Sequence, residues 1–156
     1  MVWVPLALSR DIPKNTARPA RLDGEKLAIR REHRTIVVTG EGGPYAATET
    51  GGMIWSNPAG MSEAPPVFLA GLSIASLAIN ADAAVILGLL GNPAPHPEAQ
   101  LVEVELDGVP LTIGWHTPQP GRTILHVVTT DPGNVESRAL VALHHLRAAA
   151  ENGSRN

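Results

Sequence analysis

The feature that most constrains this chain is a pair of Asp-Gly dipeptides, Asp23-Gly24 and Asp107-Gly108, each set between short runs that alternate apolar and polar residues. Glycine accepts the positive φ that a two-residue hairpin turn demands, so Asp-Gly between alternating runs predicts a tight β-hairpin. The first pair joins ARPARL to EKLAIRR, where Leu27 and Ile29 alternate with Lys26, Ala28 and Arg30. The second joins LVEVEL to VPLTIGWH, with Val102, Val104 and Leu106 on one face and Glu103 and Glu105 on the other. Pro118-Gln119-Pro120-Gly121 then turns the chain into RTILHVVTT, which completes an antiparallel meander.

The remaining segments fall into order around these hairpins. Residues 2–8, VWVPLAL, form an opening strand that Pro5 consigns to an edge, and residues 35–38 add another strand. A Gly-rich loop, EGGPYAATETGG, carries the only tyrosine, Tyr45, and leads into the short run Met53-Ile54-Trp55. The connector NPAGMSEAPP places an internal boundary near residue 63. Beyond it LSIASLAI is strand-like. AAVILGLL is either a helix capped by Asp82 and stopped at Gly91 and Pro93, or part of two buried strands turning at Asn80-Ala81-Asp82; the helix is preferred. VESRALVALHHLRAAAE is an amphipathic helix with Asn134 as its N-cap and an apolar stripe of Val135, Leu140, Val141, Leu143 and Leu146. The expected fold is α+β. An antiparallel, β-rich sandwich or barrel spans 1–63, a curved antiparallel sheet crossed by the long C-terminal helix spans 64–151, and 152–156 is a disordered tail.

Composition narrows the function. With 156 residues, a net charge of −3 and 17% charged residues, the surface is mildly acidic and sparsely charged, so no nucleic-acid footprint is expected. Arg30, Arg31 and Arg34 make a short basic patch, which is either an ordinary solvated strand end or a site for an anionic partner; the former is preferred. Cysteine is absent, which removes disulfides, thiolate nucleophiles and Cys-ligated metal centres. MVWVPLALSRDIP has neither a charged n-region nor a small-residue cleavage site, so no signal peptide is read and a cytoplasmic protein is expected. The apolar stretch 67–90 has the length of a membrane span, but Asn80 and Asp82 at its middle argue for buried core, and no membrane partner is expected.

The N-terminal third resembles the opening of Rieske-type oxygenase large subunits. The residues that carry the likeness are Trp3, Pro5, Ala7-Leu8-Ser9, Ile12-Pro13 and the run from Leu22 through Asp23-Gly24-Glu25-Lys26-Leu27-Ala28-Ile29 to Arg30. Thr50-Gly51-Gly52-Met53-Ile54-Trp55 is similar to that family's strand after its cluster module. Residues 72–151 look like a shortened helix-grip domain, with Asp107-Gly108-Val109-Pro110-Leu111 and Gly121-Arg122-Thr123 where its sheet turns. The resemblance implies a [2Fe–2S] cluster held by two cysteines and two histidines, and a mononuclear iron held by two histidines and a carboxylate. The chain departs from both patterns. No Cys or His lies between Val38 and Trp55, and His116, His126, His144 and His145 show no helical ligand spacing. No family ligand carries over, and no metal or cofactor is expected in what looks like a degenerate, shortened relative.

Without metals, chemistry falls to acid–base groups and pocket shape. Trp115 and His116 are strand neighbours that point to opposite faces, so His116 is surface if Trp115 is core. His126, among apolar neighbours in ILHVV, is either a buried neutral imidazole or a base. His144 and His145 complement the dipole of the last helix. Glu103 and Glu105 share a face in the relation a paired-carboxylate site needs, but a solvated strand face is preferred. Aromatic residues make up only 3% of the chain, which draws attention to Tyr45 and Trp55. The expected catalytic residues are Tyr45, whose phenol would donate to a carbonyl, and His126. The expected substrate-binding residues are Trp55, Met53, Met61, Trp115 and His116. The corresponding function is a cofactor-independent, pericyclase-like cyclase. It would hold one conformer of a hydrophobic polyene or polyketide in bacterial natural-product biosynthesis, for example for a [4+2]-type cycloaddition. A non-catalytic small-molecule-binding module, or a partner of an intact oxygenase, is the alternative. The apolar set at 67–90 suits a pocket or a homodimer interface equally.

Overall fold

The protein is a computed structural model in which residues 3–50, 52–57, 72–96, 99–129 and 135–154 are described. It is α+β, and the described residues form two antiparallel sheets, two α-helices and a short 3-10 turn at Ser9–Asp11. The first sheet is built from β1 (Val4–Leu8), β2 (Ala17–Leu22), β3 (Glu25–Glu32), β4 (Thr35–Gly40), β5 (Gly43–Thr50) and β6 (Met53–Asn57). Its spatial order is β1-β6-β5-β4-β3-β2, a sheet that curls toward a barrel and leaves β1 and β2 as its two edges. The second sheet comprises β7 (Leu72–Ile79), β8 (Leu101–Leu106), β9 (Val109–Gln119) and β10 (Arg122–Thr129) in the order β7-β10-β9-β8. Helix α1 (Ala83–Leu89) follows β7, and α2 (Val135–Ser154) closes the fold. Among the described residues no helix is long and apolar enough to cross a membrane.

Both Asp-Gly turns form as the sequence demands. Asp23 and Gly24 take φ values of 50° and 86°, and Asp107 and Gly108 take 52° and 79°, the doubly left-handed geometry of a two-residue hairpin. The first turn is also a docking point, because Asp23 N donates to Thr117 O at 2.7 Å and Gly24 N to Pro118 O at 2.8 Å. These bonds tie the tip of the β2–β3 hairpin to β9 of the other sheet.

Several expectations need correction. Residues 43–50 are not loop but strand β5, paired with β4 through Val38↔Tyr45 and with β6 through Thr48↔Trp55. Pro44 and the flanking glycines suggest a break, yet Tyr45, Ala47 and the cross-strand pairing outweigh local propensity. β9 runs past His116 to Gln119, so the turn into β10 occupies only residues 120–121. Asp82 stands before α1, but its carboxylate accepts from Gly121 N at 2.9 Å instead of capping its own helix. Helix α2 continues to Ser154, so the tail expected from residue 152 is helical over its first residues. Val141 is 54% exposed, and the buried stripe of α2 is Ala139, Ala142, Leu143, Leu146 and Ala150. Small alanines on that stripe let the helix lie close to the sheet. The boundary expected near residue 63 lies outside the described residues.

Among the described residues, three apolar clusters form the core. One fills the curled first sheet, with Ile12, Ile29, Val38 and Ile54. One lies between the second sheet and the helices, with Leu111, Ile113, Trp115, Leu125 and Leu143. The third joins the two sheets through Trp3, Leu8, Met53, Trp55, Leu101 and Val128. The central strands of the second sheet are therefore covered on both faces. Odd-numbered β9 residues face α2, while Gly114 and His116 face the first sheet.

Candidate functional site

Among the described residues, edge strand β1 pairs only with β6 and edge strand β2 only with β3, which leaves a seam between them. The second sheet lies beneath this seam and turns the gap into a cleft of about 430 Å³. Leu6, Ile12, Ile29 and Ile124 form its apolar walls, Arg18, Arg21 and Asp11 stand at its rim, and Ser76, His116 and His126 supply the polar floor. A second cleft of about 600 Å³ adjoins it, shares Arg21 and Ile124, and adds Lys26 and Arg122. Both volumes are of the size that small-molecule sites occupy, roughly 300–1,000 Å³.

Sheet register sets up the floor. Ser76 is opposite His126 across β7–β10, Gly114 is opposite His126 across β10–β9, and His116 is opposite Ile124. Ser76, His126 and His116 therefore share one face. Ser76 Oγ is 2.8 Å from His126 Nδ1, and His126 Nε2 is 2.9 Å from His116 Nδ1. The imidazole planes differ by 9° with centroids 5.1 Å apart, so the rings meet edge to edge through the hydrogen bond rather than overlapping. His116 in turn hydrogen-bonds the backbone of Pro5.

The direction of this chain follows from counting protons. A carbonyl only accepts, so His116 donates to Pro5, and with Nδ1 turned to His126 the donor is Nε2. Neutral His116 then accepts at Nδ1 from His126 Nε2–H, and His126 accepts at Nδ1 from the Ser76 hydroxyl. Burial keeps both rings neutral. It holds His116 down to about 4, partly countered by the Pro5 hydrogen bond, and it holds His126 well below the usual histidine range, with the neighbouring His116 adding to the effect.

The sequence-predicted residues divide sharply. His116 and His126 come together in the cleft, but His116 is not on the surface: it is 2% exposed while Trp115 is also core. The expectation that one of the two faces water fails because β9 is covered on both sides. Tyr45 lies on β5, away from the cleft, and its hydroxyl donates to Glu25, an arrangement that raises the phenol pKa. The neighbouring glycine makes room for that hydroxyl, since a Cβ on Gly42 would come 2.8 Å from it. Met53 and Trp55 are each 1% exposed and belong to the inter-sheet core, with Trp55 Nε1 donating to Thr50 O at 3.1 Å. Trp115 packs against the helices, and Met61 lies outside the described residues. Glu103, Glu105, His144 and His145 are exposed. The participant missing from the sequence reading is Ser76. Its only signal is a hydroxyl within the apolar run LSIASLAI, and register alone brings it opposite His126.

No protein-family model matches the sequence, and no curated protein matches it. Solved structures do. The apo form of a quaternary ammonium Rieske monooxygenase, CntA, superposes with a TM-score of 0.56 at 10% identity, over 99% of this chain and 77% of that one. The same enzyme in complex with γ-butyrobetaine gives 0.52 at 10%, over 99% and 78%. The terminal oxygenase of carbazole 1,9a-dioxygenase from Novosphingobium sp. KA1 gives 0.58 at 11%, over 97% and 81%. At these identities the likeness concerns the fold: this chain shares the fold of Rieske oxygenase terminal subunits.

Neither iron centre implied by that fold suits the residues present. A Rieske cluster needs cysteine and histidine ligands, and the chain has no cysteine at all and no histidine from residue 35 to residue 57. β4 passes to β5 through residues 41–42 alone, with no room for a ligand-bearing loop. Among the described residues, no three His, Cys, Asp or Glu side chains are grouped to hold a metal. His116 and His126 direct their nitrogens at each other.

Proposed function

We propose that this chain is a cofactor-independent protein that binds a small, largely apolar ligand in the seam cleft and acts on it by holding one reactive conformer. It is read as a shortened relative of the Rieske oxygenase large subunit in which both iron centres have been lost. The favoured chemistry is cyclisation of a hydrophobic polyene or polyketide intermediate, of the [4+2] type. The observation that supports this reading is the cleft itself, apolar on its walls and polar only at its floor and rim. Orientation of a flexible substrate can supply roughly 7–11 kcal/mol of a barrier without any side-chain chemistry. Because the Ser76 hydroxyl is directed at His126, the donor to a substrate carbonyl is Arg18 or Arg21 at the rim. The setting we assign is the cytoplasm, and a homodimer is compatible with it.

The test is titration with hydrophobic polyenes, followed by mass spectrometry of the products. Conversion that is lost when the cleft is filled by Ile124→Trp supports the reading. A ligand that binds in the cleft and is recovered unchanged under every condition leaves the alternative, a non-catalytic carrier. One observation favours that alternative: Ser76, His126 and His116 satisfy one another, so the floor presents no unpartnered acid.

A further inference from the structure

We propose that Ser76 is a nucleophile that accepts the acyl group of an apolar carboxylic ester bound in the seam cleft, with His126 as its base and His116 as the residue that positions that base. The proposal rests on the cleft being the ligand site, and does not depend on cyclisation as the reaction.

Three observations carry it. First, the hydrogen-bond chain is polarised. Pro5 accepts from His116, His116 accepts from His126, and His126 accepts from Ser76, so the Ser76 proton is aimed at an imidazole nitrogen 2.8 Å away. That is the relation by which a general base activates a hydroxyl. Second, access is graded along the chain. Ser76 is exposed where it lines the cleft, whereas His126 and His116 are each 2% exposed. A ligand therefore meets the lone pairs of Ser76 Oγ ahead of the nearly buried imidazoles that share the floor with it. Third, Arg18 and Arg21 line the same cleft, and among the described residues neither is in an ion pair. They bring positive charge to the cleft in which an ester oxygen becomes anionic.

The step balances without any further reagent. The Oγ–C bond forms as the Ser76 proton moves to His126 Nδ1, the C–O bond to the leaving alcohol breaks, and that proton leaves on the alkoxide. The acyl-serine is then released either by water, giving a carboxylic acid, or by a hydroxyl of the acyl chain itself, giving a lactone. His116 is uncharged and supports the imidazolium less than a carboxylate would, so acyl transfer to Ser76 and release from it are both slower than in a triad completed by a carboxylate.

The experiment treats the intact protein with an octyl fluorophosphonate and locates the adduct by mass spectrometry of peptides. In parallel, an uncharged solvatochromic dye reports on occupancy of the cleft. Wild type should acquire one phosphonyl group on Ser76. His126→Gln should slow labelling about 100-fold or more, since general bases contribute on the order of 10²–10⁴. Ser76→Ala should remove labelling while dye binding persists, and Ser76→Cys should restore a reactive group, now toward iodoacetamide, if the alanine variant does not fold. His116→Phe should shift the acid limb of the labelling-rate profile, which a merely structural role would leave in place. Dye binding without a Ser76 adduct, or equal labelling of wild type and Ser76→Ala, overturns the nucleophile and leaves the cleft reading standing. Failure of both dye and adduct overturns both.

Discussion

Pro5 lies so close over Gly114 that a Cβ on residue 114 would meet the proline ring at 2.6 Å and the Met53 sulfur at 3.3 Å. This contact between β1 and β9 brings the Pro5 backbone onto His116 and so anchors the inner end of the hydrogen-bond chain. Gly114→Ala should cost about 1–3 kcal/mol in urea unfolding, because the added methyl forces two packed strands apart. It should also reduce binding in the seam cleft. An alanine variant as stable as wild type would show that β1 yields freely.

The buried histidines make stability depend on pH in a defined direction. Both have folded pKa values below the ordinary 6.5, His116 at about 4, so the unfolded chain binds protons in that interval that the native state refuses. Stability should therefore be full above about pH 6.5 and fall as the pH drops toward 4, with His116 contributing roughly 3 kcal/mol at the acid end. Urea midpoints measured across this range test it. The double variant His116→Phe, His126→Phe should flatten the slope, and an unchanged slope would place its origin among the carboxylates.

Tyr45→Phe should leave ligand binding unaltered, since the phenol contacts Glu25 away from the cleft. Trp55→Ala should instead behave as a core truncation, with a loss of about 3–5 kcal/mol. Calorimetry and ligand titration separate the two effects. A binding defect in a stable Tyr45→Phe protein would move the site to β5.

Ala20 lines both clefts from β2 and is only partly buried. Ala20→Trp should block an uncharged apolar dye by about 10-fold or more while the melting temperature changes little. Equal dye affinity in the variant would place the dye elsewhere.

The architecture was legible where the determinants are local. Asp-Gly turns and alternation at 22–30 and 101–113 specify hairpins without reference to the rest of the chain, and the apolar periodicity after residue 135 specifies the last helix. Strand β5 was hidden because Pro44 and nearby glycines imitate a loop, while its stability comes from strands on both sides. The site was less legible still. His126 was recognisable as a buried imidazole, but the burial of His116 depends on a second layer over β9, and Ser76 depends on the register of two strands separated by about fifty residues. The scarcity of aromatic residues misdirected attention to Trp55, which the fold spends on joining its sheets.

The two edges of the open seam share a covalent feature. Pro5 sits on one of its edge strands and Pro19 on the other, and neither residue has an N–H to offer. A gap between two ordinary edges would invite zippering, either within the molecule into a closed barrel or between molecules into a continuous sheet. A proline on each edge removes one donor from each and so disfavours both outcomes. The gap between the two sheet edges is thus flanked on each side by a residue that offers no backbone donor for strand pairing.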